Sequence, residues 1–431
     1  MALFTKESLN PGVSPRELWS WAAYDFANSG YTTVVLTAVF NAYFVSVICG
    51  NADWATLLWT TTIAVSNIVS IICMPLIGAA TDLKANKKFW CILMSLLCVA
   101  GTVGLYWTGS STILWAVLMV IISNVGYNVG ETLNSAFLPE LAASDAIGKV
   151  SGWGWSFGYC GGLLTLGLSL LVVTGMQSMG SSAEAYVPIT MLITAAIFAV
   201  AILPLALWLK ERSKPRTQAR FWTLVKESQA SLIETAKSLP QHRSFAWLVA
   251  SGLSFQGGIA VVVTLAAVYA NQVPGFTADE TILLVLLVNI TAAVGAFAFG
   301  YIEDRIGHKM ALIVTLSIWI AMVAVAYFAQ TKPLFWVAAN LAGIAMGSSQ
   351  SAGRALVGVL APDDKRAAFY SFWNMALWLA NIIGPMTYGL ITWVTGNDQR
   401  LALLCTGMFF VVGLILLLPM TVNTSKETVG H

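Results

Sequence analysis

The sequence predicts an all-α membrane protein of twelve transmembrane helices in two six-helix bundles, with both chain ends on the cytoplasmic side. Three observations carry this. The 431 residues are 58% hydrophobic and only 10% charged, whereas a soluble domain carries about 25% charged residues. The surface of such a chain must face lipid. Twelve apolar runs are each long enough to cross a bilayer as a helix, which takes about 20 residues. Finally, the charged turn Gly78-Ala-Ala-Thr-Asp82-Leu-Lys84-Ala-Asn-Lys87-Lys88 has a counterpart at Gly300-Tyr-Ile-Glu303-Asp304-Arg305-Ile-Gly307-His-Lys309. Asp82 and Asp304 lie 222 residues apart (304 − 82), about half the chain.

The runs are Trp21–Val47, Thr56–Ala80, Phe89–Trp107, Ile113–Ser135, Val150–Thr174, Val187–Leu209, Phe245–Ala270, Thr281–Tyr301, Met310–Ala329, Phe335–Val359, Ala367–Val394 and Leu401–Met420. Lysine and arginine set their orientation. With the N-terminus inside, 19 basic residues fall in inner segments, and only Lys332 and Arg400 fall in outer loops. The remaining one, Arg354, lies within a span.

The domain division follows. Residues 1–209 form the first bundle, 210–244 a basic cytoplasmic linker and 245–431 the second bundle. Between Lys210 and Arg243 the linker carries eight basic and three acidic residues. Phe221, Leu224, Val225, Leu232 and Leu239 recur at roughly helical spacing, as in an amphipathic helix lying on the inner leaflet. The alternative is a disordered connector. Other repeats fit the half-chain offset: Gly130-Glu131 with Pro139 matches Gly353-Arg354 with Pro362, and Val150-Ser151-Gly-Trp153 resembles Tyr370-Ser371-Phe-Trp373. A shift of six spans keeps both halves in one orientation, related by an axis along the membrane normal.

Several function classes are excluded. The six cysteines form no CxxC or His/Cys cluster, so no metal site and no disulfide framework is expected. There is no GxxxxGK[ST], and no HExxH or hydrolase triad. No enzyme activity, cofactor or nucleic-acid partner is expected. The polar first 18 residues lack the pattern of a signal peptide.

These features together resemble the major facilitator superfamily: six plus six spans, a basic central loop, and G-x-x-x-D followed by basic residues after span two. The second copy fits that pattern better. The first departs from it at Leu83 and Asn86, which leaves room for its contacts to differ. A narrower match lies in Trp21-Ala-Ala-Tyr24-Asp25-Phe26-Ala27-Asn28-Ser29-Gly-Tyr31, which is similar to the first helix of the autophagy-related vacuolar amino-acid effluxer family and its bacterial relatives. Asn134–Leu141, Gly152–Gly162 and Gln350–Pro362 resemble it too. The resemblance implies a secondary exporter of small polar solutes, amino acids first among them, working by alternating access.

An ionisable group inside a span is costly and needs a reason. Asp25, Glu131 and Arg354 are the three here, and by the resemblance they fall on cavity-lining spans one, four and ten. Span seven adds Gln256. Asp25 shares a face with Asn28 and Thr32; it is either a solute or proton site or a shallow cap beside Trp19 and Trp21. Glu131 shares a face with Asn128 and Ser135; it either carries the coupling proton or pairs permanently with Arg354. Arg354, with Gly347 and Gln350, either grips a carboxylate or snorkels to the headgroups. Asn374, Trp378 and Asn381 recur at i, i+4 and i+7 in span eleven and complete the candidate lining, with Trp153, Trp155 and Tyr159 in span five. Gly154, Gly158 and Gly162 form a small-residue row for close helix contact, or a surface that slides. By the resemblance, Asp82 and Lys87, and Asp304 and Arg305, gate the inner ends of the helices.

The expected partners are a small-molecule solute, protons and membrane lipids. A monomer would enclose the path. The lack of an outer-loop glycosylation sequon fits a bacterial inner membrane. A lipid translocase and a non-transporting solute sensor stand as alternatives on the same fold.

Overall fold

The computed structural model describes residues 6–422 except 51, 53, 216–222, 224–225, 228–229, 231–232, 235, 238–240, 273–277 and 397. The linker's expected amphipathic face, Phe221 to Leu239, lies outside the described residues. Among the described residues, twelve long helices follow one another: α1 Pro15–Ile48, α2 Ala55–Lys84, α3 Lys87–Gly104, α4 Ile113–Ser135, α5 Ile147–Ser178 and α6 Ala183–Trp208, then α7 Arg243–Gln272, α8 Ala278–Ile306, α9 His308–Phe328, α10 Lys332–Leu360, α11 Arg366–Val394 and α12 Gln399–Leu417. Among the described residues, eleven helices are long and apolar enough to cross a membrane. The long helix left out is α10. Asn340, Ser348, Ser349, Gln350, Ser351 and Arg354 interrupt its apolar stretch, so it differs from the other expected spans in composition, not length.

Local signals place the helix ends. Ser14 caps α1 by accepting from the Glu17 N–H, with Pro15 in the first turn. Asp398 does the same for α12 through the Leu401 N–H at 3.0 Å. The α1 span is α-helical to Tyr31 and then widens into π-helical turns at Thr32–Ala38 and Phe44–Ile48. At the first transition the Thr32 hydroxyl donates back to the Asn28 and Ser29 carbonyls, at 3.2 and 3.1 Å. A side chain competing for those acceptors favours a local change of register. The α2–α3 turn closes on Ala85 at φ 52°, and the α8–α9 turn on Gly307 at φ 89°. These positions are again 222 apart (307 − 85).

α1 packs on α5 and α6, α3 on α4 and α6, and α2 on α4. In the second half α8 packs on α10, α7 on α11 and α12, and α9 on α10 and α12. Two seams cross between the halves: α5 lies against α8 and α10, and α2 lies against α11. Advancing α5 and α8 by six helices gives α11 and α2, so the seams are counterparts. Of the glycine row, Gly158 and Gly162 face α1 within the first half, and Gly154 lies against both Asp25 of α1 and Arg354 of the second half. A Cβ at Gly158 would lie 2.9 Å from the Ser29 hydroxyl and 3.1 Å from the Asp25 carbonyl oxygen. Backbones of the two halves approach closely at Gly152, where a Cβ would come within 3.0 Å of Gly300 Cα, and at Gly78, where it would come within 3.0 Å of the Ala367 carbonyl oxygen.

Candidate functional site

The ionisable residues meet where α1, α5 and α10 converge. One Asp25 carboxylate oxygen accepts from Arg354 Nη1 at 2.6 Å. The other accepts from the Asn134 amide at 3.2 Å, and Trp21 Nε1 donates to the Asn134 carbonyl at 2.8 Å. Arg354 also donates from Nε to the Ser151 hydroxyl at 3.2 Å and from Nη2 to the Ser151 carbonyl at 2.8 Å. Its guanidinium lies 4.8 Å from the Trp21 ring centre and 5.3 Å from that of Trp155. Asp25 and Arg354 are 6% and 5% exposed. This buried pair joins the two halves, and the hydroxyl of Ser151 adds a bond to the Ser351 carbonyl at 2.9 Å. Arg354 is therefore held inside the protein and does not snorkel.

Glu131 is not the arginine's partner. It is half-buried, hydrogen-bonds with Tyr127 and feels the charges of both Asp25 and Arg354. Tyr127 stacks on Tyr31 at 5.4 Å. Gln350 and Asn374 are also half-buried and Asn381 is exposed, so these three, like Glu131, keep accessible surface. Asn374 donates to the Thr132 hydroxyl across the seam at 2.8 Å, and Asn381 accepts from Gln256 at 3.3 Å. Asn128 turns away from Glu131 and donates to Asn67 and Ser70 of α2, both at 3.1 Å. Trp378 is buried in the apolar core. Asn28 is 5% exposed, and its carboxamide has no hydrogen-bond partner among the described residues.

At the end where α2 meets α3, the two repeated aspartates bind the opposite half. Asp82 accepts from the backbone N–H groups of Ala367 and Ala368 at the start of α11, at 3.2 and 3.0 Å. Asp304 accepts from Gly148 and Lys149 at the start of α5, both at 3.0 Å. A carboxylate suits a helix start, where N–H groups lack intrahelical partners and the dipole is positive. Lys87 is buried and pairs with Glu140 in the α4–α5 connector. Arg305 is exposed. Asp304 is flanked instead by a second pair, Glu303 with His308 at 2.6 Å.

Sequence reasoning missed Ser151, Ser351, Thr132 and Glu140. Ser151 stood in a repeated Ser-x-Trp, which was its only signal. Glu140 lay in a connector, where an acid looks like a solvated loop residue.

The chain is 25% identical over 414 residues to the uncharacterized MFS-type transporter YxiO of Bacillus subtilis (strain 168), covering 95% of each chain. It is 22% identical over 329 residues to autophagy-related protein 22 of Yarrowia lipolytica, spanning 69% of this chain and 55% of that one. Its fold matches the human organic anion transporter MFSD10 at a TM-score of 0.72 and 13% identity, covering 94% of this chain and 100% of that one. It also matches FucP, a major facilitator superfamily transporter in the outward conformation, at 0.74 and 15% identity, covering 94% and 98%. The Bacillus relative and the two solved structures are transporters and not enzymes. The chain is a multi-pass membrane protein of the MFS transporter type. The family model for vacuole effluxer Atg22-like proteins matches residues 42–430, and the chain belongs to that family.

Proposed function

We propose that the chain is a secondary active exporter of a small polar organic solute, amino acids first, working by alternating access and coupled to protons. All twelve long helices span the membrane, α10 included, with both termini cytoplasmic. Residues 1–209 and 245–431 form the two rocking bundles and 210–244 the inner linker. The chain works as a monomer, and its membrane is the bacterial inner membrane. Asp82, beside the buried Lys87, and Asp304 hold the inner ends together through the N–H groups of the opposite half and release them on inward opening.

The observation that carries the reading is the buried Asp25–Arg354 pair, one residue from each half, with Glu131 beside it and accessible. Two opposite charges taken out of water cost several kcal/mol unless well satisfied (~several per ion), and a third charge nearby raises that cost. Such a cluster at the seam of a membrane protein marks a path for solute or protons. In this reading Glu131 takes up and releases the proton. Arg354 exchanges Asp25 for the solute carboxylate, and Asn28, Gln256, Gln350, Asn374 and Asn381 supply further polar contacts.

The test is uptake of labelled amino acids into proteoliposomes, with and without an imposed pH gradient, in the wild type and Glu131→Gln. Gradient-driven accumulation should vanish in the variant while exchange persists. Normal transport by both Glu131→Gln and Arg354→Ala would sink the site assignment. No movement of any amino acid by folded protein would remove the substrate class.

A further inference from the structure

We propose a binding site for the headgroup of an anionic phospholipid where the start of α1 meets the end of α6. The residues are Arg16, Trp208 and Lys210. The Arg16 guanidinium lies 3.8 Å from the centre of the Trp208 ring, and both basic side chains are exposed. A guanidinium lying over an indole is held in place, which leaves its N–H groups directed outward as a preformed fork for a phosphate.

The local acids form no ion pair with these two cations among the described residues, although the Lys210 charge does act on Glu17. Glu17 is 2% exposed and committed to Arg212, at 2.8 Å for one of its two contacts, and to the Lys210 backbone N–H at 3.0 Å. That pairing pushes the Arg212 guanidinium above its ordinary range. Glu211 accepts from the Lys88 N–H at 3.0 Å, and burial pushes its carboxyl up from its ordinary value. Neither Arg16 nor Lys210 has a carboxylate partner among the described residues. The same Glu17 bond fixes the Lys210 backbone beside the first turn of α1, so the two positive charges are kept together although 194 residues separate them (210 − 16).

The apolar side of the site points to a lipid as the source of the phosphate. Val200, Leu203 and Leu207 recur at i, i+3 and i+7 on α6 and are 64%, 56% and 68% exposed, and Trp19 on α1 is 39% exposed. Acyl chains run beside such a face in any spanning helix, so the selectivity resides in the headgroup. Basic pockets between spanning helices on the side rich in lysine and arginine are suited to anionic headgroups.

Native mass spectrometry of the full chain in detergent, titrated with phosphatidylglycerol or phosphatidylcholine, tests this, with thermal midpoints as a second readout. Phosphatidylglycerol should be retained in preference to phosphatidylcholine and should raise the midpoint. Arg16→Gln with Lys210→Gln should bind phosphatidylglycerol about 30-fold more weakly, at about 1 kcal/mol per cation, and phosphatidylcholine unchanged. Lys210→Gln alone touches only an exposed side chain, so it keeps the test open if the double variant does not fold; it should lose about 5-fold. Equal retention of the two lipids would overturn the proposal. So would a Lys210→Gln variant with wild-type affinity, or stabilisation by inorganic phosphate equal to that by phosphatidylglycerol.

Discussion

The two halves reach across to each other with the same device and support it differently. Asp82 binds the start of α11, and Asp304 binds the start of α5. Beside Asp82, buried Lys87 pairs with Glu140 in a distant connector. Beside Asp304, Glu303 pairs with His308 of its own turn. The first turn forces Ala85 into the left-handed region, where the second uses Gly307. What the copies share reads only backbone, because every helix start offers N–H groups whatever its sequence. What they do not share depends on a particular partner side chain, and such partners drift independently.

The largest effect should come from the pair that belongs to neither copy. Asp25→Ala or Arg354→Ala leaves a buried charge alone and should cost about 3–5 kcal/mol. The double variant should recover most of that in denaturant unfolding of the purified protein. Additive losses would mean the pair is not a unit.

Next, Lys87→Gln should cost about 3 kcal/mol by removing a permanent buried cation from the Glu140 carboxylate, which keeps the Ser213 hydroxyl. His308→Gln should cost only about 1 kcal/mol, since His308 is a partner charged only when protonated and the amide replaces its hydrogen bond to Glu303. Thermal midpoints of the two variants measure the asymmetry directly, and equal losses would erase it.

Asp82→Asn and Asp304→Asn should each lose about 2 kcal/mol of clamp strength, the order of hydrogen bonds to a charged group. Spin-label distances across the α2–α11 and α5–α8 seams would report the widening. Equivalent clamps must give similar shifts; a large difference would show that one aspartate does most of the holding.

The smallest effect should be a gain. Ala85→Gly removes a left-handed alanine and should stabilise the first half by about 1 kcal/mol, while Gly307→Ala should do the reverse. An Ala85→Gly variant that melts no higher than the wild type would show that the turn carries no strain.

Much of this was legible in the chain itself. Apolar run length located the helices, and the half-chain offset paired Asp82 with Asp304. Periodicity placed Asn128 beside Glu131 on one helix face, but it does not say how that helix is rotated against α2, where Asn128 is bonded. The partner of Arg354 was equally out of reach. Asp25 and Glu131 were both available acids, and only packing brings together residues 329 apart in sequence. Arg305 looked like half of a gate because it follows Asp304, yet it lies exposed while the backbone of α5 takes the carboxylate. Lys87 looked like half of the first gate because it follows Asp82, yet its ion pair is with Glu140, and nothing local hints that Glu140 folds back to meet it.

The polarity of α10 bears on how the protein is made. A helix that carries Arg354 and several hydroxyls and amides along its length partitions poorly into lipid alone, since an arginine in a span costs up to roughly 2.5–3.5 kcal/mol at insertion, the full amount only at the centre. Its acceptors on α1 and α5 are synthesised hundreds of residues earlier. Until α10 arrives, Asp25 must wait in the membrane without its cation, so the first half is expected to stay receptive, and exposed to quality control, until the second half is nearly complete. A chain truncated before Lys332 should then be degraded faster than one truncated after Leu360, and the gap should narrow in Asp25→Ala.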